Sequence, residues 1–78
     1  MGGDTEKEIL AILEEAIKRE RAAYNLYSRG AGLAQKKEIK KVFEKLAQEE
    51  SNHEKMLTDI YHDYKKRLGF KVFHPDND

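Results

Sequence analysis

The chain has 78 residues, and its 15 Lys and Arg residues balance 15 Asp and Glu residues, so the formal net charge at pH 7 is zero. This length allows one domain at most, and the balanced charge does not indicate a binder of nucleic acid or of a membrane surface. The absence of cysteine excludes disulfides, thiolate metal sites and a Cys-X-X-Cys redox module.

The N-terminal segment MGGDTEKE is polar and acidic and does not resemble a signal peptide. No apolar run approaches the roughly 20 residues that span a bilayer, so we expect a soluble, cytoplasmic protein. Charged residues make up 38% of the chain, and proline occurs once, at Pro75. This composition is typical of amphipathic helices, and chains this small rarely bury a large core alone, so we expect self-association.

The first predicted helix begins at a capping box, with Thr5 as the N-cap and Glu8 three residues later. Apolar residues then recur at helical spacing. They are Ile9, Leu10, Leu13, Ala16, Ile17, Ala23, Tyr24 and Tyr27. Glu20 occupies the same stripe, between Ile17 and Tyr24.

The second predicted helix has an unbroken rhythm of four and three residues, which is typical of one seam of a packed bundle. The seam consists of Ile39, Phe43, Leu46, Glu50, His53, Leu57, Ile60 and Tyr64. We predict that this helix spans about residues 37–68 and stops at Gly69, followed by a short tail of residues 69–78.

The end of the first helix is less clearly marked. Gly30 and Gly32 favour an early end, whereas an antiparallel hairpin brings Glu20 and Glu50 to the same depth only if the turn centres near residue 35. We therefore predict a first helix of about residues 6–33. The whole chain, 1–78, is expected to form a single all-α domain, an antiparallel two-helix hairpin that dimerises into a four-helix bundle.

Three polar residues, Glu20, Glu50 and His53, lie on these apolar seams. Taken singly, a histidine there is more often a hydrogen-bonded core residue, and a glutamate is often a flank residue that reaches water or a register device. Taken together, Glu50 and His53 share one helix face at i, i+3, and Glu20 faces them at matching depth. Unpaired buried carboxylates are costly, and two divalent cations per dimer would balance four of them.

The segments KRERAAYNLY and EIKKVFEKLAQEESNHEKM resemble the ferritin-like di-iron carboxylate proteins, and rubrerythrin most, over about residues 6–60. Such bundles hold two metals with one Glu from each of two helices and a Glu-x-x-His from each of the other two. This chain supplies half of that set, so two chains would supply all of it. By position, the resemblance implies Glu20 as a terminal carboxylate ligand, Glu50 as the bridging carboxylate and His53 as the terminal nitrogen ligand.

The resemblance also concerns Tyr24 and Tyr27, which follow Glu20 on the same face. It implies that an aromatic hydroxyl here hydrogen-bonds a ligand carboxylate, with ordinary core packing as the equal alternative. Three further glutamates, at positions 15, 49 and 54, are candidates for a metal entry path, although a solvated helix face accounts for them better.

The chain departs from the rubrerythrin pattern in having two helices rather than four and no cysteine for an iron–thiolate domain. Lys36 and Lys37 also stand where relatives often have Asp-Pro before the second helix. The two-helix form is similar to the encapsulated ferritins, in which hairpins pair across an interface to form the iron site.

Carboxylate-rich ligation suits iron, with manganese next and zinc less favoured. The resemblance implies a di-iron oxidoreductase that oxidises Fe(II) with O₂ or H₂O₂, in iron handling or oxidative-stress defence, with electrons from substrate iron or a separate donor protein. Two other functions stay open from the residues alone. One is a structural metal site that fastens a dimer, and the other is a metal-free helical module that binds a partner protein.

Overall fold

The computed structural model describes residues 2–72, with side chains described for residues 4–68. It contains two helices, α1 (Gly2–Leu33) and α2 (Lys37–Val72), joined by a turn at residues 34–36. The helices pack against each other as an antiparallel hairpin, and the described residues form no strand. The predicted all-α class is therefore confirmed. Within residues 2–72, neither helix has a stretch long and apolar enough to cross a membrane.

The helices pack along the apolar stripe that the sequence indicates. Leu10, Ile17 and Ala31 of α1 and Ala47 of α2 are buried, and the three α1 positions are separated by multiples of seven residues. This spacing returns side chains to one face after two helical turns. The contact between helices thus follows one continuous line, and that line sets which polar residues meet across it.

The turn is closed by backbone hydrogen bonds at both helix ends. The Ala34 amide donates to the Gly30 carbonyl at 2.9 Å, and the Lys40 amide donates to the Lys36 carbonyl at 3.0 Å. The first bond completes the last turn of α1, and the second opens α2 directly after Lys36. The glycines near the end of α1 therefore do not end the helix early.

Two predicted helix bounds are wrong. The Thr5 capping box does not begin α1, because the helix already starts at Gly2, and Asp4 lies in its first turn, where a carboxylate interacts favourably with the helix dipole. Gly69 does not stop α2, which continues to Val72. A glycine ends a helix through a positive φ, and no described glycine has one. The rest of the predicted tail, residues 73–78, lies outside the described residues.

Both helices carry exposed apolar residues, and the helical spacing of these residues places them on one side of the hairpin. They are Ile9, Ile12, Leu26 and Leu33 of α1 and Ile39, Val42, Met56 and Ile60 of α2. We call this side the open face. The hairpin measures 53 × 24 × 14 Å, so it is a single layer of helices, whereas stable domains pack at least two layers around a core. Ile39 and Ile60 of the predicted seam are therefore only partly covered within one chain.

Candidate metal centre

Glu20, Glu50 and His53 meet at the middle of the hairpin. Each offers one ligand atom, and these atoms all lie within 4.8 Å of one another. The Nδ1 atom of His53 is 3.7 Å from Oε1 of Glu20 and 3.5 Å from Oε1 of Glu50. The i, i+3 spacing puts Glu50 and His53 on one face of α2, and the antiparallel packing brings Glu20 of α1 opposite them.

The burial of the cluster is uneven. The side chains of Glu20 and Glu50 are 24% and 20% exposed, whereas that of His53 is 53% exposed. His53 therefore lies at the outer edge of the cluster. It is not a core histidine held by its own chain, because its distances to both carboxylates exceed those of a good hydrogen bond.

One oxygen of the cluster lacks a partner. Oε1 of Glu20 is buried and has no hydrogen-bond partner among the described residues. A buried polar atom without a partner costs free energy, and a bound cation is one way to remove that cost. Two carboxylates and an imidazole are suitable donors for iron or manganese, so the residues fit a divalent metal ion.

The charges of the cluster also favour a bound cation. The pKa of Glu20 is raised above its ordinary value, first by the neighbouring carboxyl group of Glu50, which can share a proton with it. Burial and the negative charge of Glu50 raise this pKa further, while His53 opposes the shift. The two carboxylates therefore repel each other when both are ionised, and a proton or a cation between them relieves that repulsion.

The two tyrosines that follow Glu20 take different positions. The ring of Tyr27 stacks on Phe43, with centroids 6.4 Å apart and an interplanar angle of 27°, and Tyr24 is 41% exposed. Among residues 4–68 we see no hydrogen bond from either hydroxyl to Glu20 or Glu50. The packing of Tyr27 matches the alternative of core packing, and a hydrogen bond from either hydroxyl to a ligand carboxylate stays a prediction.

Two hydrogen bonds between the helices were not predicted from the sequence. Nε of Arg21 donates to Oε2 of Glu54 at 2.6 Å, and the hydroxyl of Tyr61 donates to Oε2 of Glu14 at 2.6 Å. The seven-residue separation of the pairs on each helix is present in the sequence, but it does not say which residues pair across the helices. Glu54, considered for an entry path, is thus bound to Arg21.

The remaining two entry-path candidates lie on exposed helix surface. Glu15 pairs with Arg19 four residues later on the same helix, at 3.3 Å, and Glu49 is exposed. Neither contributes to the group of ligand atoms formed by Glu20, Glu50 and His53.

The fold and the cluster together define a helical hairpin with a carboxylate–histidine centre, which corresponds to half of a ferritin-like bundle. The sequence profile of the rubrerythrin family matches residues 11–75, which is most of the 78-residue chain and includes all three cluster residues. The chain belongs to the rubrerythrin family. No curated protein and no solved structure gives a significant match to it.

Proposed function

We propose that this chain is a di-iron oxidoreductase that oxidises Fe(II) with O₂ or H₂O₂ at a site shared between two copies. The observation that carries the proposal is the cluster of Glu20, Glu50 and His53, whose ligand atoms lie within 4.8 Å of one another and include a buried, unpartnered carboxylate oxygen of Glu20. Membership of the rubrerythrin family supports iron as the metal, and manganese or zinc are alternatives.

The open face supports a second copy as the partner. It leaves large apolar residues such as Ile12, Leu26 and Met56 more than half exposed, and burying such side chains is a main driving force of association. His53 is half exposed at the edge of the cluster. A second hairpin on the open face would bring the cluster to four carboxylates and two imidazoles, the ligand set of di-iron bundles.

The three residues have distinct roles in this proposal. By the resemblance to di-iron bundles, Glu50 would bridge the two ions, while Glu20 and His53 would each bind one ion from opposite helices. The iron pair, when bound, supplies the redox chemistry towards O₂ or H₂O₂. The hairpin brings the two carboxylates and the imidazole together without a bound ion.

The electrons would come from substrate iron or from a separate donor protein, because this chain has no cysteine with which to bind an iron–thiolate centre. Two substrate Fe(II) ions supply the two electrons that reduce one H₂O₂ to water, with two protons taken up from solvent. Iron handling and peroxide defence are the roles that fit this reaction. The cytoplasmic location stays a prediction.

Anaerobic loading with Fe(II), followed by O₂ or H₂O₂, tests the proposed reaction. We expect the wild-type protein to form Fe(III), followed by its near-ultraviolet absorption, faster than buffer does, and Glu50→Ala to match buffer. Glu49→Ala removes a neighbouring exposed carboxylate and serves as the control. A wild-type protein that binds Fe(II) without accelerating its oxidation would indicate a structural metal site, and one that binds no metal would indicate an interaction module.

A further inference from the structure

The hydrogen bonds Glu14–Tyr61 and Arg21–Glu54 both join α1 to α2. The two bonds are seven residues apart on each helix. Arg21 follows Glu14 by seven residues in α1, and Glu54 precedes Tyr61 by seven residues in α2. Seven residues are two helical turns, so both bonds belong to the same seam and fix the same register between the helices. Both have donor–acceptor distances of 2.6 Å.

The Arg21–Glu54 bond is next to the cluster along both helices. Arg21 follows Glu20 in α1, and Glu54 follows His53 in α2. The carboxylate of Glu54 is largely covered, at 26% exposed, and a guanidinium donating to a carboxylate is among the stronger hydrogen bonds in proteins. This bond therefore connects the two backbone segments that carry one carboxylate and the imidazole of the cluster.

The turn is not the only element that can fix the register. The last turn of α1 contains Gly30 and Gly32, and glycine is a weak helix former, so the helical conformation is less favoured there than in the rest of α1. Apolar seams with a seven-residue period are also compatible with more than one alignment, and polar residues in the seam are a known means of selecting one. The Glu14–Tyr61 and Arg21–Glu54 pairs are polar contacts that can select one alignment of the two helices.

We propose that Arg21 is a positioning residue, which through Glu54 holds α1 and α2 in the register that brings Glu20 to Glu50 and His53. The inference rests on the proposed metal site. Arg21 itself does not contact the ligand atoms, and its positive charge beside them opposes cation binding. Charge alone therefore predicts that Arg21→Gln strengthens metal binding, whereas positioning predicts that it weakens metal binding.

Arg19 provides a matched control. It precedes Glu20 by one residue, carries the same charge and pairs only with Glu15 of its own helix among the described residues. We expect Arg21→Gln to weaken Mn(II) binding about tenfold, at the lower end of the losses that follow removal of groups that hold metal ligands in place. Arg19→Gln should leave the affinity unchanged or slightly higher. The exchanged pair, Arg21→Glu with Glu54→Arg, should recover most of the lost affinity.

A second measurement needs no metal. The chain has no cysteine of its own, so Asn25→Cys and Asn52→Cys, exposed positions on α1 and α2, can carry spin labels in protein diluted with unlabelled chains. A slip by one turn shifts one helix by about 5.4 Å. We expect Arg21→Gln to broaden or shift the distance distribution, and the exchanged pair to restore it.

The outcomes separate the two proposals. If the wild-type protein binds no Mn(II) or Fe(II), the proposed function fails, and the label distances still test the register. If Arg21→Gln binds metal as tightly as Arg19→Gln does, or if its label distances match those of the wild type, Arg21 does not position the cluster. If the exchanged pair restores neither property, the bond to Glu54 is not the means of positioning.

Discussion

Gly30 of α1 lies directly against the ring of Phe43 in α2. A Cβ atom added to Gly30 would be 3.0 Å from three ring carbons of Phe43, whereas one added to Gly32 would meet nothing within 4 Å. The same ring also stacks on Tyr27, so a shift of the ring would disturb that contact. The glycine therefore permits the close approach of the two helices just before the turn.

This contact predicts opposite effects of alanine at two neighbouring glycines. Gly32→Ala should raise the free energy of unfolding by about 0.5–1 kcal/mol, because alanine favours the helix and meets no neighbour. Gly30→Ala gains the same propensity but crowds Phe43, and overpacking of this kind typically costs about 1–3 kcal/mol. We expect it to be the less stable variant in urea unfolding. Equal stabilisation by both substitutions would show that the Phe43 contact is not close in solution.

The cluster carboxylates predict a pH dependence of the metal-free protein. Since the pKa of Glu20 is raised in the folded state, mainly by the neighbouring carboxyl group of Glu50, Glu20 binds its proton more tightly in the folded protein than in the unfolded one. This contribution to stability is fully present below the ordinary glutamate pKa of 4.5 and is lost as the pH rises through the raised value. Thermal unfolding in chelator between pH 4 and 8 measures it.

The double variant Glu20→Gln with Glu50→Gln should melt higher than the wild type in chelator at neutral pH, with a flatter pH profile, and should bind no metal. Glu49→Gln, which changes an exposed neighbour, is the control and should keep the wild-type profile. A double variant that melts clearly below the metal-free wild type would mean that the two glutamates are satisfied without a cation.

The Tyr61–Glu14 bond predicts a second pH dependence, at the alkaline end. The pKa of Tyr61 is raised above its ordinary 10.0 by its hydrogen bond to Glu14, by burial and by the charge of Glu14. The stabilisation is therefore present below pH 10.0 and is lost as the pH rises through the raised value. Tyr61→Phe should lower the free energy of unfolding at neutral pH by about 1 kcal/mol.

Tyr64→Phe is the matched control, because Tyr64 is also partly buried on α2 and the described residues give its hydroxyl no hydrogen bond. Denaturant unfolding at pH 7 compares the two variants directly. If Tyr61→Phe and Tyr64→Phe lose the same stability, the bond to Glu14 contributes nothing of its own.

Metal ligation predicts a ranking among the cluster variants. Glu50→Ala should remove metal binding most completely, because a bridging carboxylate serves both ions, and His53→Ala should reduce the affinity at both equivalent positions. Calorimetric titration with Mn(II) measures both, with Glu49→Ala as the control. Retention of two metal ions per dimer by Glu50→Ala would contradict its assignment as the bridge.

The features that depend on periodicity could be predicted from the sequence. The rhythm of four and three residues in α2 and the matched depth of Glu20 and Glu50 predict the hairpin and the cluster, since helix geometry converts spacing directly into a shared face. The first residue of α1, Gly2, and the last residue of α2, Val72, could not be predicted. A capping box or a glycine only favours a helix end at its position, and the helical preference of neighbouring residues can extend the helix beyond it. The Arg21–Glu54 bond depends on the register between helices, which no single helix encodes.

The central claim, a metal centre shared between two copies, is tested most directly by native mass spectrometry of the protein loaded with Fe(II) under anaerobic conditions. We predict a dimer, or a multiple of it, with two iron ions for every two chains, and loss of the ions in Glu50→Ala. A single chain that retains iron by itself, or a dimer that carries none, would contradict the claim.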